Sequence, residues 1–156
     1  MGADIEILNL KKICEEEVGD IEVRGGNLRA AVVQGDAIPR LIDEIPVLAV
    51  VACFAKGEMV IRDAGELRIK ETDRIRAMKI ELTKMGAQIE EKKDGMVIKG
   101  VGKLEGARCQ SYGDHRIAMA LAVAGLCAQG NTEILDSGCI ATSFPGFEEV
   151  LEQIAT

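Results

Sequence analysis

The chain repeats itself, and this repetition limits its fold more than any other feature of the sequence. The opening stretch MGADIEI (1–7) returns as MGAQIEE (85–91), with five of the seven positions identical. Two further stretches recur: FAKGEMVIRDA (54–64) resembles LCAQGNTEILDS (126–137), and IEVRG (21–25) resembles MVIKG (96–100). The offset is near 84 for the first pair and near 73 for the others, so two versions of one unit differ in a connecting loop.

The first complete copy predicts the order strand, helix, strand, helix and strand pair. Residues 43–55 are apolar nearly all round and predict a buried helix, which Gly57 ends. EMVIRDA is rich in β-branched residues and predicts a strand. ETDRIRAMKIELTKMG predicts an amphipathic helix with Thr72 or Asp73 as its cap, and its apolar face carries Ile75, Met78, Leu82 and Met85. AQIEEKKDGMVIKG predicts a hairpin that turns at Asp94-Gly95.

The second copy follows the same plan but stops early. GDHRIAMALAVAGLCAQG predicts a buried helix, TEILDS a strand, and FPGFEEVLEQI an amphipathic helix with Pro145 near its start. We expect an α/β fold of βαβαββ units with mixed sheets and buried helices. The whole of 1–156 is expected to belong to one domain: 1–34 end a preceding unit, 35–100 form one unit, and 101–156 form an incomplete last unit. Met1 is interpreted as an interior methionine of a longer repeat protein.

Composition excludes several classes of function. A net charge of −7 argues against generic binding of nucleic acid or of an anionic membrane surface. The longest apolar runs, 45–55 and 117–128, are too short to span a bilayer. Cys53 and Cys127 lie inside these runs and are expected to be buried thiols, and the five cysteines include no CxxC pair that would suggest a metal site. Few disulfides are expected, which fits a cytoplasmic location.

Charged residues gather at the starts of the predicted helices. The first begins IDEIP, the second follows RIKETDRI, and the third begins GDHR. Arg74 and Arg116 would lie in or near first turns, where the helix dipole disfavours a cation, so each calls for an anionic partner. That partner could be a ligand or a nearby carboxylate such as Glu71, Asp73 or Asp114. Asp43 and Asp73 could equally be plain caps, Arg74 a surface ion pair, Lys70 a solvated lysine, and His115 a structural histidine.

The motifs KETDR (70–74) and DHR (114–116), together with GDAIPRLIDEIPVLAV and IATSFPGFEEVL, make the chain resemble the C-terminal part of the EPSP synthase family. The resemblance covers essentially all 156 residues. It implies the enolpyruvyl transferase fold, in which helix N-termini face a cleft between two halves. It also implies transfer of the enolpyruvyl group of phosphoenolpyruvate to the 5-hydroxyl of shikimate 3-phosphate, with release of phosphate. No metal and no organic cofactor are implied.

The resemblance assigns roles by matched position. Asp43 matches the base that contacts the shikimate hydroxyls, and Lys70 matches the lysine that contacts the 3-phosphate. Glu71 matches the glutamate near the methylene carbon, where a proton arrives and leaves. Arg74 and Arg116 match the pair that binds the carboxylate of phosphoenolpyruvate, while His115 matches a site histidine with a less settled role. Some family members carry a lysine where this chain has Thr142, so Thr142 is not assigned to the site.

Two alternatives stay open at this point. The related enolpyruvyl transferase that acts on UDP-N-acetylglucosamine shares the fold but lacks KETDR and DHR. A non-catalytic repeat domain that binds anions or a protein would also fit the helix starts. The resemblance further implies that most phosphate ligands come from an N-terminal domain that this chain does not contain, so we expect the isolated chain to be inactive. We also expect 1–34, without its helices, to expose apolar surface and to self-associate weakly.

Overall fold

The computed structural model describes residues 1–155, which form ten β-strands and five α-helices. The strands are β1 (Asp4–Ile13), β2 (Glu16–Arg24), β3 (Val32–Val33), β4 (Glu58–Ile61), β5 (Gln88–Lys92), β6 (Gly95–Lys99), β7 (Leu104–Glu105), β8 (Arg108–Gln110), β9 (Ala128–Gln129) and β10 (Glu133–Leu135). The α-helices are α1 (Ile38–Leu41), α2 (Ile45–Phe54), α3 (Arg74–Lys84), α4 (His115–Cys127) and α5 (Phe147–Ile154). Short 3-10 helices occupy Gly35–Ala37, Gly65–Ile69 and Ser137–Thr142.

The central sheet has the mixed pairing expected for an α/β fold. Its strand order is β3-β4-β6-β5, with β3 parallel to β4 and the other pairs antiparallel. Along the chain the order β3–α2–β4–α3–β5–β6 is βαβαββ, so the fold class predicted from the sequence is confirmed. The first strand of this unit begins at Val32, just before the predicted boundary at residue 35.

The second copy reproduces the first half of this pattern. Strand β8 pairs in parallel with β10, and α4 connects them as α2 connects β3 and β4. The parallel pair β7–β9 takes the place of the single bridge between Arg29 and Lys56 in the first copy. Helix α5 then follows, and residue 156 of the predicted last unit lies outside the described residues.

The residues that recur in the sequence also have matching backbone conformations. Gly57 and Gly130 have φ of 102° and 87°, and Asp63 and Asp136 have φ of 63° and 56°. Left-handed φ is uncommon for a residue other than glycine, so its recurrence at the matched aspartates is specific. The carbonyl oxygen of Met1 accepts from the Arg29 N–H at 3.0 Å, and that of Met85 accepts from the Glu105 N–H at 2.9 Å. The internal repeat of the sequence is therefore a structural repeat.

Helices α2 and α4 contact each other in the core, as their apolar composition predicts. Ala49 and Ala52 of α2 and Ala120 and Ala124 of α4 are fully buried, and such small side chains allow close helix packing. The prediction for Cys53 is confirmed, whereas that for Cys127 is wrong. Cys127 is the last residue of α4, where the helix leaves the core and the thiol is exposed.

The β5–β6 hairpin turns one residue earlier than predicted. Lys92 pairs with Gly95, so the turn is Lys93-Asp94 rather than Asp94-Gly95. Gly95 is instead required for close packing, because a Cβ there would lie 1.9 Å from the Ile61 carbonyl oxygen. The Asp94 carboxylate and carbonyl accept from the N–H groups of Asp63 and Ala64, which ties the turn to the end of β4.

The β1–β2 hairpin forms a separate two-stranded sheet in which no residue is buried. Ile5, Ile7, Ile21 and Val23 are each more than half exposed, so the predicted exposure of apolar surface in 1–34 is confirmed. Among the described residues, no helix combines the length and the apolar character needed to cross a bilayer.

Candidate functional site

The starts of three helices meet around the guanidinium group of Arg74. This side chain is buried at the first position of α3. Its Nε donates to Asp114 Oδ2 at 2.8 Å, its Nη1 to Asp43 Oδ1 at 2.8 Å, and its Nη2 to Glu71 Oε2 at 2.7 Å. Arg74 therefore joins the segment before α2, the segment before α3 and the residue that caps α4.

Asp114 uses both carboxylate oxygens to align two helices. Its Oδ1 accepts from the backbone N–H groups of Arg116 and Ile117, which caps the free donors of the first turn of α4. Its Oδ2 binds Arg74, and the carboxylate is fully buried. This one side chain fixes the start of α4 relative to the start of α3.

Arg116 lies beside this cluster and faces the start of α2. Its Nη1 donates to Glu44 Oε1 at 2.6 Å, and its side chain is about 30% exposed. Because Glu44 follows Asp43 directly, the turn before α2 supplies one carboxylate to each arginine. The two guanidinium groups are thus held on either side of a single two-residue segment.

The remaining predicted site residues line the edge of the cluster. Lys70 follows the 3-10 helix Gly65–Ile69, and its Nζ pairs with Glu66 Oε1 at 2.7 Å. His115 is the first residue of α4, and the structure gives its imidazole no hydrogen-bond partner within residues 1–155. The structure therefore brings Asp43, Glu71 and Arg74 into direct contact and places Lys70, His115 and Arg116 at adjoining helix starts.

The ionisation states follow from these contacts. The hydrogen bond from Arg74 holds the pKa of Asp43 below its usual range despite some loss of hydration. Burial alone would lower the pKa of Arg74, but its hydrogen bonds to Asp114 and Asp43 outweigh burial and raise that pKa. The hydrogen bond to Glu66 raises the pKa of Lys70. Asp43 is an ionised carboxylate at neutral pH, a state in which it can accept a proton.

Carboxylates outnumber cations in this cluster. Asp43, Glu44, Glu71 and Asp114 stand against the two arginines, and Lys70 is paired elsewhere. A ligand with several negative charges would thus need further positive groups or would have to displace some of these carboxylates. Asp43 and Glu71 are the displaceable ones, since each is nearly half exposed while Asp114 is fully buried.

A cavity of about 280 Å³ opens next to Arg116. Asp43, Glu44 and Arg116 form its polar side, and Phe144 and Phe147 form part of its apolar side. The two phenyl rings pack edge to face, with centroids 5.6 Å apart. Thr142 does not line this cavity; its hydroxyl donates to the Cys139 carbonyl within a 3-10 helix.

Sequence reasoning described some of these residues incompletely. Arg74 as a surface ion pair is wrong, because the side chain is buried among three carboxylates. Asp43 as a plain cap is also wrong, because its carboxylate binds Arg74. Asp73 does cap α3, since it accepts from the Arg76 N–H. Glu44 was missed, although its place beside Asp43 at a helix start was a signal.

These features define an α/β repeat protein whose charged helix starts converge on Arg74, and comparisons with known proteins identify its family. Residues 1–151 match the family model for EPSP synthase (3-phosphoshikimate 1-carboxyvinyltransferase), and the chain belongs to this family. It is 54% identical over 154 residues to the 3-phosphoshikimate 1-carboxyvinyltransferase of Gloeobacter violaceus. Identity to the enzyme of the same name from Herpetosiphon aurantiacus is 57% over 154 residues.

The structural comparison agrees with the sequence. A solved structure of EPSP synthase from Acinetobacter baumannii superposes with a TM-score of 0.93 at 37% identity, over 98% of this chain and 36% of that one. The alignments to the two curated relatives likewise cover 99% of this chain and 36% of each relative. The chain therefore spans little more than a third of the length of the relatives it matches.

Proposed function

We propose that this chain forms the C-terminal part of an enzyme that transfers the enolpyruvyl group of phosphoenolpyruvate to the 5-hydroxyl of shikimate 3-phosphate. The observation that carries the proposal is the cluster in which Arg74 binds Asp43, Glu71 and Asp114. It combines a fork of N–H donors suited to a substrate carboxylate with two accessible carboxylates suited to proton transfer. The family of the chain supplies the reaction and the two substrates.

Arg74 and Arg116 would bind the carboxylate of phosphoenolpyruvate. The Arg74 Nε would remain hydrogen-bonded to the buried Asp114, so the orientation of the guanidinium group would be maintained when a substrate binds. The incoming carboxylate would replace Asp43 and Glu71 on the two Nη atoms, because these side chains are the exposed partners. Substrate binding would then release both carboxylates for catalysis.

The released carboxylates would act on opposite sides of one addition. Asp43 would take the proton of the 5-hydroxyl as the hydroxyl oxygen attacks C2 of phosphoenolpyruvate. Glu71 would bind a proton once it has left Arg74, and as a carboxylic acid it would deliver that proton to the methylene carbon. The addition product carries a methyl group and a phosphate on the same carbon. Removal of a methyl proton by Glu71 and departure of phosphate would restore the double bond in the enolpyruvyl ether.

Lys70 and His115 would contribute to substrate binding and catalysis beside this pair. Lys70 would leave its ion pair with the exposed Glu66 and bind the 3-phosphate of shikimate 3-phosphate, which is a dianion. His115 lies next to Arg116 at the start of α4, and we propose that it acts close to the departing phosphate. The reaction as proposed uses no metal and no organic cofactor.

The excess of carboxylates implies that a second domain supplies more cations. We propose that the N-terminal domain of such an enzyme closes over these helix starts and provides most of the phosphate ligands. Closure would exclude water and strengthen every charged contact in the cleft. We place the reaction in the cytoplasm, without a nucleic acid or membrane partner.

Phosphate release tests this proposal. A polypeptide of the relatives' full length that carries this chain should release phosphate from phosphoenolpyruvate when shikimate 3-phosphate is present. The 156-residue chain alone should release none. Phosphate release with UDP-N-acetylglucosamine instead would identify the amino-sugar enzyme. If no phosphate is released with either acceptor, the result would support a non-catalytic anion-binding domain. Turnover by the isolated chain would refute the proposed need for a second domain.

A further inference from the structure

A second buried carboxylate lies on the same helix as Arg74 but outside the site. Glu81 is fully buried, and it follows Arg74 by seven residues, so both side chains leave α3 on the same face. Burying a carboxylate is unfavourable unless donors surround it. The place of Glu81 in the core therefore requires a reason other than packing.

Three groups donate hydrogen bonds to this carboxylate, and two of them come from the segment 110–114, which runs from the end of β8 to the start of α4. Lys84 Nζ donates to Oε2 at 2.6 Å and offsets the charge within α3. The Gln110 N–H donates to Oε2 at 3.0 Å, and the Tyr112 hydroxyl donates to Oε1 at 2.6 Å. Burial raises the pKa of Glu81, but these hydrogen bonds outweigh burial and lower it, so the group is ionised at neutral pH.

The loop held by Glu81 leads directly into the site. Tyr112 and Gly113 both have left-handed backbone, with φ of 58° and 71°, and Asp114 follows at once. A left-handed tyrosine is unfavourable in isolation and persists when its surroundings hold it. Helix α3 therefore binds the segment 110–114 at both ends: Glu81 accepts hydrogen bonds from Gln110 and Tyr112, and Arg74 donates one to Asp114.

We propose that Glu81 and Tyr112 are positioning residues that set the distance between the two site arginines. They act through Asp114, whose carboxylate accepts a hydrogen bond from the backbone N–H of Arg116 at the start of α4 and another from the Arg74 side chain. If the loop is released, Asp114 shifts, and the two guanidinium groups lose their fixed separation. A ligand that bridges both arginines is weakened, whereas a ligand held elsewhere is not. The kinetic form of this claim rests on the proposed function, but its structural form does not.

The test introduces Tyr112→Phe and Glu81→Gln into a polypeptide that has the full length of the relatives and carries this chain. Glu90→Gln is the matched control. Glu90 is an exposed, lysine-paired glutamate on β5, so the control makes the same charge change away from the loop. Tyr112→Phe keeps the ring and decides the matter if Glu81→Gln fails to fold. Each variant removes a hydrogen bond to a charged group, so we expect a KM for phosphoenolpyruvate raised about tenfold. The KM for shikimate 3-phosphate should change less than about twofold, because a ligand held away from the two arginines is not weakened.

A second readout needs no substrate. Hydrogen exchange at the Arg116 and Ile117 amides, which Asp114 caps, should accelerate in both variants and stay unchanged in the control. Faster exchange there supports the proposal even if the wild-type polypeptide releases no phosphate, an outcome that would refute only the proposed function. Unchanged exchange at these two amides would overturn the proposal, and so would an equal rise in both KM values.

Discussion

The hairpins β1–β2 and β5–β6 pair in the same register at their open ends, but their apolar residues differ in burial. Asp4 pairs with Arg24 and Ile5 with Val23 in β1–β2, as Gln88 pairs with Lys99 and Ile89 with Ile98 in β5–β6. These are the positions that the sequence repeat matches. Yet Val23 is 65% exposed, whereas Ile98 is fully buried.

The difference shows what a local sequence can and cannot determine. Alternation of apolar residues and the flanking glycines set the strand pairing, which is the same at the matched positions of the two hairpins. Beyond these positions β1–β2 shifts register between Leu8 and Lys11. Burial comes from helices on the apolar face, and α3 packs on β5 and β6 within the unit 35–100. The first hairpin has no such helix within residues 1–155, so its apolar face meets solvent. The same pattern thus produces a core layer in one place and an exposed patch in the other.

The largest expected contrast comes from truncating matched side chains on the two hairpins. Ile98→Ala removes fully buried methyl groups and should lower the free energy of unfolding by about 3 kcal/mol. Val23→Ala alters an exposed side chain and should change it by less than about 0.5 kcal/mol. Urea unfolding of the two variants measures the contrast, and equal losses would show that the β1–β2 face is covered in solution.

A matched pair of glycines provides the next contrast. Gly100 approaches the Ala55 carbonyl so closely that a Cβ would lie 1.7 Å from its oxygen, whereas its counterpart Gly25 has nothing within 4 Å. Gly100→Ala should therefore destabilise the fold by about 2 kcal/mol through forced backbone movement. Gly25→Ala should change the free energy of unfolding by less than about 0.5 kcal/mol. A tolerated Gly100→Ala, measured by thermal unfolding, would mean that β6 and the end of α2 are less tightly packed than described.

The smallest expected effect is weak self-association through the exposed hairpin. Ile5, Ile7, Ile21 and Val23 lie on one face, and such a patch favours contact between copies, with a Kd on the order of 0.1–1 mM. Ile7→Lys should abolish this association in sedimentation experiments at high concentration. Ile69→Lys, a change at an exposed isoleucine away from the hairpin, is the control. A strictly monomeric wild-type chain would contradict the expectation.

The sequence predicted the repeat, the buried helices and the charged helix starts, because each leaves a periodic or local signal. That these helix starts meet was implied by the family resemblance. It did not predict that Arg74 is buried, since that depends on how α3 packs against α4 and brings Asp114 within 2.8 Å across 40 residues. Glu81 carried a signal that was missed, because it shares a helix face with Met78 and Met85 and interrupts an apolar stripe. The partial exposure of Asp43 and Glu71 depends on tertiary packing and leaves no trace in the sequence.

We propose that the helix starts around Arg74 and Arg116 bind the substrate carboxylate, and phosphate release by single variants tests this role most directly. In the polypeptide of full relative length, Arg116→Gln should lower kcat/KM at least about a hundredfold, because it removes a charged fork from an anionic ligand. Arg74→Gln should lower it at least as much, with circular dichroism to confirm folding. Arg76→Gln, an exposed arginine half a turn along α3, should retain wild-type turnover. Folded Arg74 and Arg116 variants with the activity of Arg76→Gln would contradict the account.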